Sequence, residues 1–150
     1  MIYTDTTKKA IKLMFEAHKN QVDKSGIPYV FHPWHVAESM QDEDSVVVAL
    51  LHDVVEDTNI TIDDLKKEGF NSKVIEALEK MTHNKNTDYY EYIKTIGSNE
   101  LATKVKIADL MHNMDYTRLE IIDKKAEEKL KKYKKSLNYL LSINDKNNKI

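Results

Sequence analysis

Three glycines and two prolines are all that punctuate this chain of 150 residues. So few breakers favour long helices over the turn-rich connections of a sandwich or barrel. The side-chain spacing agrees. Over 6–19, Ile11, Met14, Phe15 and His18 recur at helical intervals. Ser25-Gly26-Ile27-Pro28 is a loop signal, and Pro33 suits the first turn of a second helix over 32–40. A third helix is expected from an Asp44 or Ser45 cap to about Glu56. A short fourth follows the Thr61 cap, with Asp64 three residues on as a capping box. A fifth runs from Asn71 or Ser72 to Met81, and a sixth spans 88–96, closed by Gly97. A seventh runs from an Asn99 cap to about Asp115, and an eighth covers 124–141 with Leu130, Tyr133, Leu137, Leu140 and Leu141 on one face. The expected fold class is all-α, a single helical domain over 1–143, with 144–150 a frayed tail.

A chain of this length can bury a full core as one domain. Cysteine is absent, which excludes disulfides, thiolate zinc sites and cysteine nucleophiles. Any metal must therefore be held by nitrogen and oxygen. The longest apolar run, 46–51, is far too short to span a bilayer. The N-terminal segment, with Asp5, Lys8, Lys9 and Lys12, reads as a helix rather than a signal peptide. The expected location is the cytoplasm, with no membrane partner. A net charge of −2 gives no general affinity for nucleic acid.

The distribution of charge says more than its total. No Lys or Arg occurs between Gln41 and Asp64, where eight acids do. With His52 at the origin of a helical wheel turning about 100° per residue, Asp53, Glu56 and Asp57 fall within an arc of roughly 140°. Val47, Val48, Leu50, Leu51, Val54 and Val55 take the other side. A solvent face ordinarily mixes both signs; this one carries a histidine and three acids. The seventh helix repeats the pattern, with Asp109, His112 and Asn113 at i, i+3 and i+4 on one face. Imidazole with carboxylate suits Mn²⁺, Fe²⁺, Co²⁺ or Zn²⁺. Such a metal acidifies water and neutralises a phosphoryl oxygen, both of which phosphate-ester hydrolysis needs. Glu56 and Asp57, one turn on from His52 and Asp53, are placed to take or direct a proton. Taken singly, each residue has a plain structural reading: a His-Asp pair arises by chance, Glu56 and Asp57 suit a solvated helix end, and His32 can cap. Their order and combination favour the functional one.

In that order the chain resembles the HD-domain phosphohydrolases, and among them the hydrolase domain of the RelA/SpoT alarmone enzymes and their small stand-alone relatives. The resemblance rests on His18-Lys19-Asn20-Gln21, on the run Lys24-Ser25-Gly26-Ile27-Pro28-Tyr29-Val30-Phe31-His32-Pro33 and on Val36-Ala37. It continues in Ala49-Leu50-Leu51-His52-Asp53-Val54-Val55-Glu56-Asp57-Thr58 and in Val105-Lys106-Ile107-Ala108-Asp109-Leu110-Met111-His112-Asn113-Met114. It implies an HD-type helical bundle in which His32, His52, Asp53 and Asp109 hold one divalent metal, Mn²⁺ first and Fe²⁺, Co²⁺ or Zn²⁺ after it. It implies that Glu56 and Asp57 assist the attacking water and that Lys24, Ser25 and Asn113 contact the substrate. The implied reaction is (p)ppGpp 3′-pyrophosphohydrolase-like. Asp23 and Asp115 stand where the alarmone hydrolases usually have arginine, and Tyr116 where a small threonine is usual. Two such charge changes are expected to weaken a highly anionic ligand. A different nucleotide or phosphomonoester is the alternative substrate. A non-catalytic metal- or nucleotide-binding module and a plain helical interaction protein are the alternative functions. His18 reads as structural, His35 lies one turn from His32, and His112 is expected to support Asp109 or to pack. The loop 82–87 around His83 reads as near the site or a lid. The lysines from Lys124 read as a solvated face, with a phosphate-attracting role the lesser reading.

Overall fold

The structure is a computed structural model describing residues 1–119 and 121–148. In chain order its helices are α1 (Asp5–His18), α2 (Phe31–Glu38), α3 (Glu43–Leu51), α4 (Val54–Asp57), α5 (Ile62–Lys67), α6 (Ser72–Met81), α7 (Tyr89–Gly97), α8 (Glu100–Asn113) and α9 (Lys124–Asn148). A 3-10 turn, Tyr116–Arg118, separates the last two. Among the described residues there is no strand, only an isolated bridge between Val22 and Pro28, and no helix is long and apolar enough to cross a membrane.

The starts of the helices follow from short polar side chains that satisfy free backbone N–H groups. Thr4 and Thr7 form a reciprocal capping box at α1, as Thr61 and Asp64 do at α5. Asn71, Asp88 and Asn99 cap α6, α7 and α8. At α3 the cap is Asp42, whose carboxylate accepts from the Ser45 N–H at 2.9 Å. It is not Asp44 or Ser45; Ser45 is the group being capped and is itself buried.

The core is built around α3. Residues 45–51 are all buried, and α1, α2, α6 and α8 pack around that helix. Burial on every side is why its run of valine and leucine shows no alternation. α9 closes the far side by packing on α7 and α8, with Leu130 and Leu140 buried. It reaches Asn148, through 144–148 where a frayed tail is expected; residues 149 and 150 lie outside the described residues.

Two expectations need correction. The single third helix is two. α3 stops at Leu51, and His52 and Asp53 form a turn before α4. Asp53 takes φ −102° and ψ −4°, which leaves the α basin for the bridge region. Gly97 plays a different part from the one expected. Its φ is not positive, and α7 includes it. A β-carbon there would lie 2.8 Å from Ile143 Cδ1 and 3.3 Å from Tyr139 Cε1, so glycine allows α9 its close approach.

Candidate metal centre

The break after α3 decides the geometry. On a continuous helix, neighbouring residues point about 100° apart and do not face one another. With the helix interrupted, His52 Nε2 and Asp53 Oδ2 come to 3.0 Å. α2 supplies His32 from its first turn and α8 supplies Asp109 from its last. Asp109 Oδ1 lies 2.7 Å from His32 Nε2 and 3.3 Å from His52 Nε2. His32 Nε2 is also 3.9 Å from Asp53 Oδ2. Donor atoms of His32, His52 and Asp109 all fall within 4.8 Å of one another, and all three residues are buried. The four residues named from the sequence are therefore brought to one point.

The state of these groups suits a cation. His52 Nδ1 donates to the Ala49 carbonyl at 2.5 Å, which turns Nε2 toward the two carboxylates. Burial opposes charge on this ring, but Asp53 and Asp109 outweigh it and hold its pKa well above the usual histidine range. The centre thus calls for positive charge between imidazole and carboxylate, and a divalent metal would take the place of the Nε2 proton. Burial works against ionising Asp109, but the Lys106 ammonium and His52 outweigh it and hold its pKa well below the usual carboxylate range. Burial likewise opposes charge on Asp53; His52 outweighs it and brings the pKa down to about 2. Two ionised carboxylates and two imidazole nitrogens in a cysteine-free site fit a divalent metal that accepts N and O ligands.

Sequence reasoning missed the residues that hold the carboxylates. Lys106, partly buried with 13% of its side chain exposed and one turn before Asp109, reaches Asp109 Oδ2 at 2.8 Å, which leaves Oδ1 to the histidines. The Tyr29 hydroxyl donates to Asp53 Oδ2. Lys106 stood inside a matched segment; Tyr29 carried no signal beyond its place in one. His112 does not support Asp109. Its Nδ1 lies 2.7 Å from His32 Nδ1. His18 is buried, with Nδ1 2.8 Å from Gln21 Oε1.

Glu56 and Asp57 lie on α4, at the exposed rim and not among the converging atoms. The His83 backbone N–H donates to Glu56 Oε1, so the loop 82–87 does reach the rim. Desolvation raises the pKa of both acids, and the Asp53 charge adds to it. That moves them towards the range of a working base.

Lys24, Ser25 and Asn113 share the wall of one cavity of ≈ 350 Å³. Gly26, at φ +80°, makes the turn that puts Lys24 and Ser25 there. Asn113 joins the cavity to the metal centre, since its Nδ2 donates to Asp109 Oδ1 at 3.1 Å. The Ser25 hydroxyl is itself engaged with the Arg118 carbonyl at 2.9 Å. Three further bases line this space: Arg118, the only arginine of the chain, and Lys125 and Lys129 from α9. The α9 lysines are thus not wholly a solvated face. Asp23 and Asp115 also line it, but both are engaged. Asp23 Oδ1 accepts from Ser25 and Ile27 N–H groups at 2.8 and 3.0 Å, and its Oδ2 is 3.9 Å from Arg118 Nη2. Asp115 Oδ1 accepts from Thr117 N–H and hydroxyl at 3.0 and 2.6 Å. The Arg118 guanidinium offsets part of the Asp23 charge, whereas the bonds from Thr117 lower the Asp115 pKa and keep that carboxylate ionised. Tyr116 is half exposed and outside the cavity wall.

A family model described as HD domain matches residues 10–138. The chain belongs to the HD domain family. Among curated relatives, this HD domain is 31% identical over 140 residues to a guanosine-3′,5′-bis(diphosphate) 3′-pyrophosphohydrolase of Borreliella burgdorferi, covering 83% of this chain and 20% of that protein. It is 32% identical over 143 residues to a GTP pyrophosphokinase of Myxococcus xanthus, covering 83% and 18%. The chain spans a fifth or less of the length of these two relatives. A solved structure of a metazoan ortholog of SpoT, described as hydrolysing ppGpp, superposes with TM-score 0.75 over 94% of this HD domain and 88% of that chain, at 23% identity. That likeness shows the fold.

Proposed function

We propose that this HD domain hydrolyses the 3′-pyrophosphate ester of a guanosine nucleotide of the (p)ppGpp kind, with one Mn²⁺ held by His32, His52, Asp53 and Asp109. The observation that carries the reading is the convergence of two imidazole nitrogens and two ionised carboxylates beside a cavity lined by lysine and arginine and joined to them through Asn113. The similarity to a relative named for this reaction supports the choice of substrate.

A divalent metal bound here supplies Lewis acidity toward phosphoryl oxygen and lowers the pKa of water. Asp53 and Asp109 stay ionised, each fixed through a partner outside the centre. Glu56 accepts the proton of the attacking water and Asp57 beside it directs that water, and the main-chain bond from His83 orients Glu56. Lys24, Arg118 and Lys129 offset the negative charge of the nucleotide across the cavity, and Asn113 spans both compartments. A nucleotide substrate and a cysteine-free chain fit a cytoplasmic setting.

The direct test incubates Mn²⁺-loaded protein with guanosine tetraphosphate, ordinary nucleoside mono-, di- and triphosphates, and a chromogenic phosphate ester. Pyrophosphate release from the tetraphosphate, lost in His52→Ala, is the expected result. Phosphate release from another member with the tetraphosphate untouched would reassign the substrate, and no turnover on any member would remove the catalytic reading.

A further inference from the structure

Behind His32, on the side away from the carboxylates, lie two further histidines that the hydrolytic reading leaves without a task. We propose that His112 is a positioning residue for the metal centre. Its Nδ1 accepts a hydrogen bond from His32 Nδ1–H and so holds the His32 ring with its Nε2 lone pair turned toward the metal. The proposal rests on the metal-centre reading above.

The two Nδ1 atoms are 2.7 Å apart. The ring centroids are 5.0 Å apart and the planes differ by 7°. Nitrogens this close do not belong to face-stacked rings, whose atoms keep van der Waals separation. The rings therefore meet edge to edge and nearly coplanar, as an N–H···N hydrogen bond requires. A neutral imidazole has one N–H and one acceptor nitrogen. The His32 nitrogen that faces the centre is Nε2, at 2.7 Å from Asp109 Oδ1, and a ligating nitrogen must be unprotonated. The single proton of His32 then sits on Nδ1 and points at His112. His112 accepts through Nδ1 and carries its own proton on Nε2.

His112 is itself held in place. His35 stacks on it at 3.9 Å between centroids and 20° between planes. Arg118 Nη1 donates to the His112 carbonyl at 2.9 Å. His35 lies on α2, one turn from His32, so a single helix presents both the ligand and the brace of the ligand's acceptor. The other histidine of the centre solves the same problem with main chain, since His52 Nδ1 meets the Ala49 carbonyl. Only the His32 partner can be removed by changing a side chain.

Two measurements decide the matter. The first is the Mn²⁺ dissociation constant by competition with a chromophoric chelator, for wild type, His112→Phe and His112→Asn, with melting of the metal-free proteins alongside. Phe keeps a ring for the His35 stack and has no acceptor; Asn can place Oδ1 near the position of Nδ1. His112→Phe is expected to weaken the metal by about 10- to 100-fold, the range for loss of a ligand's outer partner, while its metal-free form still melts in one cooperative transition, and His112→Asn to bind close to wild type. Phe binding like wild type, or Asn binding as weakly as Phe, overturns the proposal while leaving the metal centre standing. A wild type that binds no divalent metal overturns both. The second needs no substitution. In the Zn²⁺-loaded protein, ¹⁵N shifts of the ring nitrogens should show His32 Nδ1 protonated and His112 Nδ1 unprotonated; the opposite assignment overturns the proposal whatever the variants do.

Discussion

The two helical segments that carry the centre reach the same point by opposite means. α8 stays regular. Asp109 and Asn113 share its face by ordinary i, i+4 spacing, and Lys106 sits one turn back to neutralise the carboxylate. The α3–α4 segment instead gives up its continuity, and the turn at His52 and Asp53 points two adjacent side chains at one spot. The first arrangement holds its charge through an ion pair with Lys106 and the second through a bond from Tyr29 to a partly buried acid. A regular helix can thus offer a single buried carboxylate, provided that a cation comes with it. A broken one can offer two ligands in succession.

This difference predicts unequal effects of the same substitution. Asp109→Ala strands the Lys106 ammonium, and breaking a buried pair from one side costs about 3–5 kcal/mol. Chemical denaturation of the metal-free protein should show a loss of that size, and turnover should fall to background. Asp53→Ala should abolish turnover equally but cost much less stability, because it strands no buried lysine. Equal losses of stability would erase the contrast.

Metal should sharpen it. At a free concentration 100 times the dissociation constant, a ligand specific for the folded state adds about 2.7 kcal/mol. Mn²⁺ should raise the wild-type Tm accordingly, and chelation should reverse the rise. Neither aspartate variant should respond.

At the rim the expected effects are smaller and kinetic. Glu56→Gln should lower kcat by about 10²-fold, the lower end for loss of a general base, with Mn²⁺ affinity unchanged. The pKa values of Glu56 and Asp57 are raised, and a base works deprotonated. Activity should therefore fall as pH drops through a limb lying above the ordinary carboxylate range. A pH profile of kcat/KM would show it, and Glu56→Gln should change its shape. An unperturbed limb, unchanged by the variant, would move the base elsewhere. Smallest of all, Lys129→Ala should raise KM by about tenfold, the size of one charge-assisted contact of roughly 1.5 kcal/mol, and leave kcat nearly unchanged.

What could be read from the sequence follows the same division. The regular parts were legible: the all-helical class from the scarcity of breakers, the α8 face from its spacing, the apolar side of α9, and the caps at α5, α6 and α8. His32, His52, Asp53 and Asp109 were legible as a set because their segments resemble a known pattern, and the structure brings all four together. The break in α3 was not. Its residues have no glycine or proline, and valine and leucine continue on both sides, so periodicity ran straight through it. Partners far apart in sequence were equally hidden. Nothing local connects Tyr29 to Asp53 or His32 to His112. The engagement of Asp23 by Ser25, Ile27 and Arg118 was hidden for the same reason, which is why that acid looked more repulsive than its surroundings make it.

The wall of the cavity has a consequence in time. All four converging side chains lie between residues 32 and 109, whereas the wall needs Lys24 and Asn113 together with Lys125 and Lys129. A chain leaving the ribosome has therefore delivered every candidate ligand well before the last helix that closes the cavity. On the proposed function, the groups that would hold the ion are complete in the chain before those that would hold the substrate.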